Sequence, residues 1–578
     1  MESGPWLTVA VILATLLEAA LSIGSLYAIK LLVDSIGVGL QSSQAHAQIY
    51  FYLGLTGGSL ILAAMAQSIA NLLRMRQGFL VGDLVNTKIH EGAIGLDLSF
   101  YESPHYFDSL QKAREAGGQR PAQVVANVIN GARGAIMLVA ILAMLAAIEW
   151  RLLPVLMMTV GVALGVRLFF TKRLYDWRMK RAQLERRSGY LDWMITSNHH
   201  AKELRINNLG RHFANQFREM QTQIRTENMA IEQSRAVFEL GVAAFGSLIF
   251  VGAAAFLIDA ALKGVLSIGQ VAMFVLLLRR AEGSGNELVS SISRLVDDHL
   301  YLGRLFDFFD TKPRIISDLT PVAISLPLRI GIQMENVSFK YEGANRPSVT
   351  GLNFELKPGR IVALVGENGS GKTTLIKLLN RLYDPTGGRI LLDGVDIRRM
   401  DPEAYRALFS VIFQDYSCYA DTVTNNIRFG NIALPYGEEA IARAAEGAGA
   451  DSFIDALPAK YQTPLTKLFD DGHDLSIGQW QRVALARSFF PESQFVIMDE
   501  PTSAVDPAAE YELFENFRER LGSRGALIIS HRLSTVRQAD FTYVLEAGQI
   551  IEAGTHDELL ELNGAYAKLF NMQAKHYL

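Results

Sequence analysis

Long apolar runs with few charges crowd residues 1–282, and nothing else in the chain limits the fold as much. They run approximately Trp6–Ile36, Ile49–Leu73, Val124–Ile148, Leu152–Phe170, Val237–Leu262 and Val265–Leu278. A helix that crosses a bilayer needs about 20 mostly apolar residues. The first five runs meet that length, and the sixth meets it when Arg279 and Arg280 snorkel to an interface. The first run follows Met-Glu-Ser-Gly-Pro, which has no basic residue, and it is too long for a signal-peptide core. It is therefore a retained span. Residues 311–578 are an ordinary globular mixture, so the chain averages of 49% hydrophobic and 20% charged residues conceal two unlike halves. The expectation is a six-helix, all-α transmembrane domain over 1–310, a Pro-containing linker over 311–329, and a soluble domain over 330–578.

Loop charge orients the first half. Arg74, Arg76, Lys88, Lys112, Arg114 and Arg120 lie between the second and third runs, and a denser basic segment, Lys172–Arg235, lies between the fourth and fifth. The other connections hold only Arg151 and Lys263. Positive loops stay inside, so both long segments and both termini are expected in the cytoplasm. Periodic stretches at Leu184–Met194 and Phe213–Met229 extend the spans as helices, and about 20 further residues reach roughly 30 Å beyond the bilayer. The far turns fall near 101–110 and 198–209. Glu18, Arg133, Glu239, Arg279, Arg280, Glu282 and Glu287 lie in or near the spans, where charge faces a polar cavity, a partner or an interface. Glu18 and Arg133 are deep enough to favour a cavity, whereas Glu239, Arg279 and Arg280 fit a cavity or an interface equally.

A net charge of -4 argues against a protein built around nucleic acid, and the single Cys418 rules out a disulfide framework or a cysteine zinc ribbon. The second half carries its own decisive segment. An apolar strand, Arg360–Val365, runs into Gly366, Glu367, Asn368, Gly369, Ser370, Gly371, Lys372, Thr373 and Thr374. This is the phosphate-cradling G-x-x-x-x-G-K-[ST] loop in its strand–loop–helix context. Its glycines turn backbone N–H groups onto phosphates, Lys372 adds a point charge, and Thr373 offers a hydroxyl to Mg²⁺. Further on, the strand Phe495–Met498 ends in Asp499 and Glu500. Alone, two acids before Pro501 would read as a helix cap. Beside this loop, Asp499 reads as a Mg²⁺ ligand and Glu500 as the acceptor of a proton from an attacking water.

These residues, with five more motifs, resemble the ATP-binding cassette transporters, specifically half-size exporters, over nearly the whole chain. Leu475-Ser476-Ile477-Gly478-Gln479 is similar to the family signature Leu-Ser-Gly-Gly-Gln, and Ser503-Ala504-Val505-Asp506 to the D-loop. Gln414 matches the Q-loop glutamine, His531 the switch histidine, and Tyr341 the aromatic residue that stacks on adenine. The resemblance implies an α/β P-loop ATPase fused to the membrane domain, with ATP and Mg²⁺ as cofactors. Gln414 joins Thr373 and Asp499 around the metal, and Glu500, His531 and Gln414 act in hydrolysis. Ser476, Gly478 and Gln479 close the γ-phosphate of a second copy, since one cassette and six spans make half of a working unit. Asp506 completes the nucleotide site.

The implied activity is ATP-driven export by alternating access from the cytoplasm, in a bacterial cell membrane. The cargo is a peptide or an amphipathic small molecule, because Phe100–Asp108 and the region Phe469–Trp480 are similar to lantibiotic-type exporters. A lipid or glycolipid flippase of the same fold is the alternative. An ATP-gated regulator is the more distant one, since Glu500 and His531 are intact. Tyr106, Phe107, His199 and His200 are candidate contacts of the coupling turns, expected to dock near Gln414; the two histidines are equally well explained as solvated. Ile477 departs from the signature, because a β-branched residue lacks glycine's backbone freedom. A homodimer is the first expectation and pairing with a different chain the second.

Overall fold

The computed structural model describes residues 4–39, 46–103, 110, 120–150, 153–435, 437–469, 471–501, 517–530 and 532–574. The chain forms two compact units, one of residues 1–95 and 106–311, the other of residues 96–105 and 312–578.

The first unit is helical. Its long helices are α1 (Pro5–Gly39), α2 (His46–Gly95), α4 (Arg120–Glu149), α5 (Leu153–Thr196), α7 (Gly210–Leu262) and α8 (Ile268–Asp310). Short helices α3 (Leu98–Tyr101) and α6 (Ala201–Ile206) sit at the turns. Among the described residues four helices, α1, α2, α4 and α7, are long and apolar enough to cross a membrane. The six-span expectation thus holds in part. In α8 the sequence that should span carries Arg279, Arg280 and Glu282 within one turn, which dilutes its apolar character. At 44 and 53 residues, α5 and α7 carry on far past any bilayer crossing, as their periodicity indicated.

Inside this unit α1 packs on α2, α4 on α8 and α5 on α7. Small residues set the closest approach: a Cβ at Gly134 of α4 would stand 2.9 Å from the Ser284 carbonyl of α8. Close backbone contact of this kind is how helices associate where lipid removes the hydrophobic drive. Ile141, Leu145, Leu257, Phe274 and Leu277 fill the core, while Leu13, Leu62, Leu248 and Val251 point outward.

The second unit holds two sheets. One has the order β2 (Val349–Leu356), β1 (Ile332–Phe339), β4 (Gly387–Leu392), β5 (Val395–Asp396). The other runs β10 (Gln549–Gly554), β9 (Phe541–Glu546), β3 (Ile361–Gly366), β8 (Gly525–Ile529), β7 (Phe495–Asp499), β6 (Phe409–Ile412). In it β9, β3, β8, β7 and β6 are mutually parallel, and β3, β7 and β8 are buried along their full length. A parallel strand covered on both faces reads as an unbroken apolar run, which is why β3 and β7 were visible in the sequence. The first strand starts at Ile332. Asp393 accepts the amides of Arg329, Ile330 and Gly331 at 2.7–2.9 Å and holds them in a turn.

Residues 96–105 cluster with this second unit although they follow α2. Asp97 accepts the amides of Arg314 and Ile315, and Leu98 packs against the sheet core. Glu102 accepts from Lys377 Nζ at 2.6 Å and from the Tyr383 hydroxyl at 2.5 Å. Burial, and then the Glu102 carboxylate, push the Tyr383 hydroxyl pKa up. The first turn was expected to meet the cassette near Gln414. Its described part sits instead beside the helix that follows the phosphate loop. Tyr106 and Phe107 lie outside the described residues. In the other turn, His200 stacks edge-on against Trp193 with its Nδ1 buried, and His199 is exposed.

Candidate active site

The loop Gly366–Gly371 joins β3 to α9 (Lys372–Leu379), and its shape depends on glycine. Gly371 has φ +107°, and a Cβ there would come within 2.9 Å of the Ser348 carbonyl. At Gly366 a Cβ would lie 2.2 Å from the Leu545 carbonyl oxygen. Lys372 is buried, donating to the carbonyls of Gly366 at 2.8 Å and Glu367 at 2.9 Å. Its ammonium is curled back over the loop. Burial lowers its pKa, with the charges of Glu500 and Asp499 opposing. The Ser370 hydroxyl is buried with no partner, 2.8 Å from where a Cβ at Gly366 would stand. Those two features fit a phosphate chain.

Asp499 ends β7 with 4% of its surface exposed. Its carboxyl is pushed up to about 6, first by burial and then by the Glu500 charge, against the pull of Lys372 and a hydrogen bond from Thr373. The Thr373 hydroxyl and the Asp499 carboxylate are thereby together, a hard oxygen pair of the kind Mg²⁺ takes. Among the described residues no group of three His, Cys, Asp or Glu could hold a metal by itself. Mg²⁺ at such a pair would complete its shell with phosphate and water.

Glu500 follows at φ +50°, a left-handed backbone for a residue other than glycine. Such conformations persist where surroundings enforce them, and they cluster at functional sites. Here the Glu500 amide donates to Ile529 at 2.9 Å, and its carbonyl accepts from Gln481 at 3.2 Å. Gln414 Nε2 donates to Glu500 Oε2 at 3.0 Å. The structure thus brings together Lys372, Thr373, Asp499, Glu500 and Gln414 from three strand ends and a loop. Gln481, which clamps the Glu500 backbone, was not foreseen as a site residue; it lies two positions beyond the signature stretch.

Tyr341 packs edge-on against Phe339 and Tyr383, with Lys377 over its ring and its hydroxyl 3.2 Å from Thr374 Oγ1. It is half-buried, with its hydroxyl beside the last residue of the phosphate-loop motif. Ser476 caps the helix α10 (Ile477–Phe489) in a reciprocal box: its hydroxyl accepts the Gln479 amide, and its own amide donates to Gln479 Oε1 at 2.9 Å. Gly478 lies in the first turn of α10. Ile477 is the first residue of that helix and is 72% exposed, with no positive φ. Glycine's backbone freedom is therefore not needed there, and the side chain simply points outward. Tyr416 donates to the Ile477 carbonyl at 3.0 Å, joining the Gln414 loop to the start of α10. His531 and Asp506 lie outside the described residues.

Residues 349–503 match the family described as ABC transporter. Over 568 residues the chain is 28% identical to the subtilin transport ATP-binding protein SpaT of Bacillus subtilis, covering 96% of this chain and 90% of that one. An ATP-dependent lipid A-core flippase of Methylobacillus flagellatus is 39% identical over 310 residues, 54% of this chain and 52% of its own length. Among solved structures, a bacterial Atm1-family ABC exporter with ATP bound superposes with a TM-score of 0.83 and 25% identity, covering 98% of both chains.

Proposed function

We propose that the chain is an ATP-binding cassette exporter that hydrolyses ATP, and that two copies form the working unit and move a peptide or amphipathic cargo outward. Each cassette cradles ATP phosphates on Gly366–Thr374, with Tyr341 against the adenine. Thr373, Asp499 and Gln414 would hold Mg²⁺, which would supply neutralising charge to the phosphate oxygens. The open side of each nucleotide is closed by Ser476, Gly478 and Gln479 of the other copy, where the N-terminus of α10 favours an anion. Asp506 and His531 belong to the same composite site.

One observation carries the hydrolytic assignment: Glu500 is held at a strained φ of +50° with its carboxylate hydrogen-bonded by Gln414. From that position Glu500 takes a proton from the water that attacks the γ-phosphorus. The bond to the bridging oxygen breaks, and ADP and phosphate leave. Binding and release of the nucleotide then shift the membrane helices between two states, because ATP favours one of them. The basic segments support a cytoplasmic side for both termini and the cassette, and the bacterial relatives support a bacterial membrane. The likeness to a subtilin transporter, spanning 96% of the chain, supports a peptide cargo. The flippase alternative draws on a likeness that covers 54%.

The test is ATP hydrolysis by the singly expressed protein in lipid nanodiscs, with and without hydrophobic peptides, using Glu500→Gln as the blank. Peptide-stimulated activity above the blank supports a homodimeric exporter. No activity above the blank under any condition overturns the homodimer and requires a second, different chain.

A further inference from the structure

Gln481 lies about one turn inside α10, 2% exposed, among the buried side chains of Trp480, Val483 and Leu485. An amide drawn into such surroundings is costly unless it is hydrogen-bonded. Its Nε2 donates to the Glu500 carbonyl at 3.2 Å. Glu500 has φ +50°, a conformation that a residue with a Cβ leaves readily unless its surroundings hold it.

Two hydrogen bonds supply that hold, one on each side of the Glu500 Cα. The amide donates to the Ile529 carbonyl at 2.9 Å, which fixes the peptide plane before the Cα and with it φ. The carbonyl accepts from Gln481, which fixes the plane after the Cα and with it ψ. With the second bond gone, the backbone can turn toward the right-handed or extended regions, and the carboxylate swings with it. Gln414 does not prevent this, because it meets Glu500 Oε2 at 3.0 Å in an exposed position where water competes. The same helix is tied to the segment that carries Gln414. Two residues beyond Gln414, the Tyr416 hydroxyl donates at 3.0 Å to the carbonyl of Ile477, the first residue of α10. Gln481, Glu500, Gln414, Tyr416 and Ile477 thus close a ring that refers the base to the first turn of α10.

From this geometry, and resting on the role given to Glu500 in hydrolysis, we infer that Gln481 is a positioning residue of the ATPase. It acts through the Glu500 backbone: it holds the left-handed conformation that presents the carboxylate to Gln414 and to the attacking water. Binding of ATP falls to the phosphate loop and Tyr341 and does not depend on it. The restraint therefore belongs to turnover and not to affinity.

The experiment measures ATP hydrolysis and, separately, binding of a fluorescent ATP analogue by the full-length protein in lipid nanodiscs. Gln481→Met keeps the volume and removes the donor. Its kcat should fall about tenfold, the scale of one lost hydrogen bond, with KM for ATP and analogue binding at the parent's values. Gln481→Asn, which keeps the amide but draws it back by one carbon, should show the same split. In a Glu500→Gln background, Gln481→Met should lower turnover no further, because the group it positions is gone. A parent-like kcat in both Gln481 variants overturns the proposal, as does a further fall in the Glu500→Gln background. Loss of analogue binding or of folded protein in both variants also overturns it, since that is what a purely structural role gives. Parent-like hydrolysis by Glu500→Gln removes the role of Glu500 and the proposal with it; an inactive Glu500→Gln beside a parent-like Gln481→Met removes the proposal alone.

Discussion

Two of the places where this protein draws charge out of water do so on opposite terms. In the membrane unit, Glu18, Arg74, Arg133 and Glu287 neutralise one another side chain to side chain. At the phosphate loop, Lys372 is held by backbone carbonyls, which carry no net charge, and it faces Asp499 and Glu500 without forming an ion pair. The first arrangement is complete as it stands. The second is poised: burial depresses the lysine, raises Asp499 to about 6, and leaves a donor, Ser370, with nothing to bind. Compensated charge is architecture, and charge left open is where a ligand belongs.

The sharpest way to test the second half of that contrast is Glu500→Gln. It keeps size and hydrogen-bonding capacity but removes the base, so hydrolysis should fall about 10²–10⁴-fold. Nucleotide binding, followed with a fluorescent ATP analogue, should persist. An unchanged hydrolysis rate would refute the role given to Glu500.

The first half is tested by Glu18→Ala, which strands Arg74 and half of Arg133. Breaking a buried pair costs about 3–5 kcal/mol, read as a lower thermal midpoint in nanodiscs. Removing Arg74 as well should recover part of that loss. If Glu18→Ala melts like the parent, the quartet is not architecture.

A smaller effect separates the two sites by pH. Asp499 is ionised above about 6 and protonated below it. Because Mg²⁺ needs the ionised form, its apparent affinity should weaken as pH falls, by about tenfold per unit below that value. Mg²⁺ titrations of hydrolysis at pH 7.5, 6.5 and 5.5 should show it, and identical curves would contradict the assignment. The smallest effect is expected of Ile477→Gly. The helical backbone there has no use for glycine, which should cost about 0.5–1 kcal/mol of stability. A large gain in hydrolysis instead would mean that the isoleucine obstructs the site.

The phosphate loop was legible because its chemistry is contiguous: a strand leads into four fixed positions and a helix start, all within Gly366–Thr374. The parallel strands were legible for a related reason, since burial on both faces leaves an unbroken apolar run. The Gln414–Glu500 bond could not be read, because it joins positions on two strand ends brought together only by the β6–β7–β8 order. The Glu18 quartet draws its members from four helices and has no spacing to betray it. Each charge could be flagged as costly, but its partner could not be named. Glu102 was hidden for a third reason. It is an ordinary surface acid in sequence, and only its seat on Lys377 and Tyr383 gives it meaning.

That seat bears on how such a protein can be recombined. Residues 96–105 lie among the helices in sequence and with the cassette in contacts. A chimera spliced at the apparent seam near 311 would import a cassette whose Arg314 and Ile315 amides and Lys377 ammonium meet a foreign segment in place of Asp97 and Glu102. The transplantable module is therefore discontinuous. A graft that carries Leu96–His105 together with Lys312–Leu578 keeps its own docking surface, and inheritance by fusion or exchange of cassettes would have to respect the same boundary.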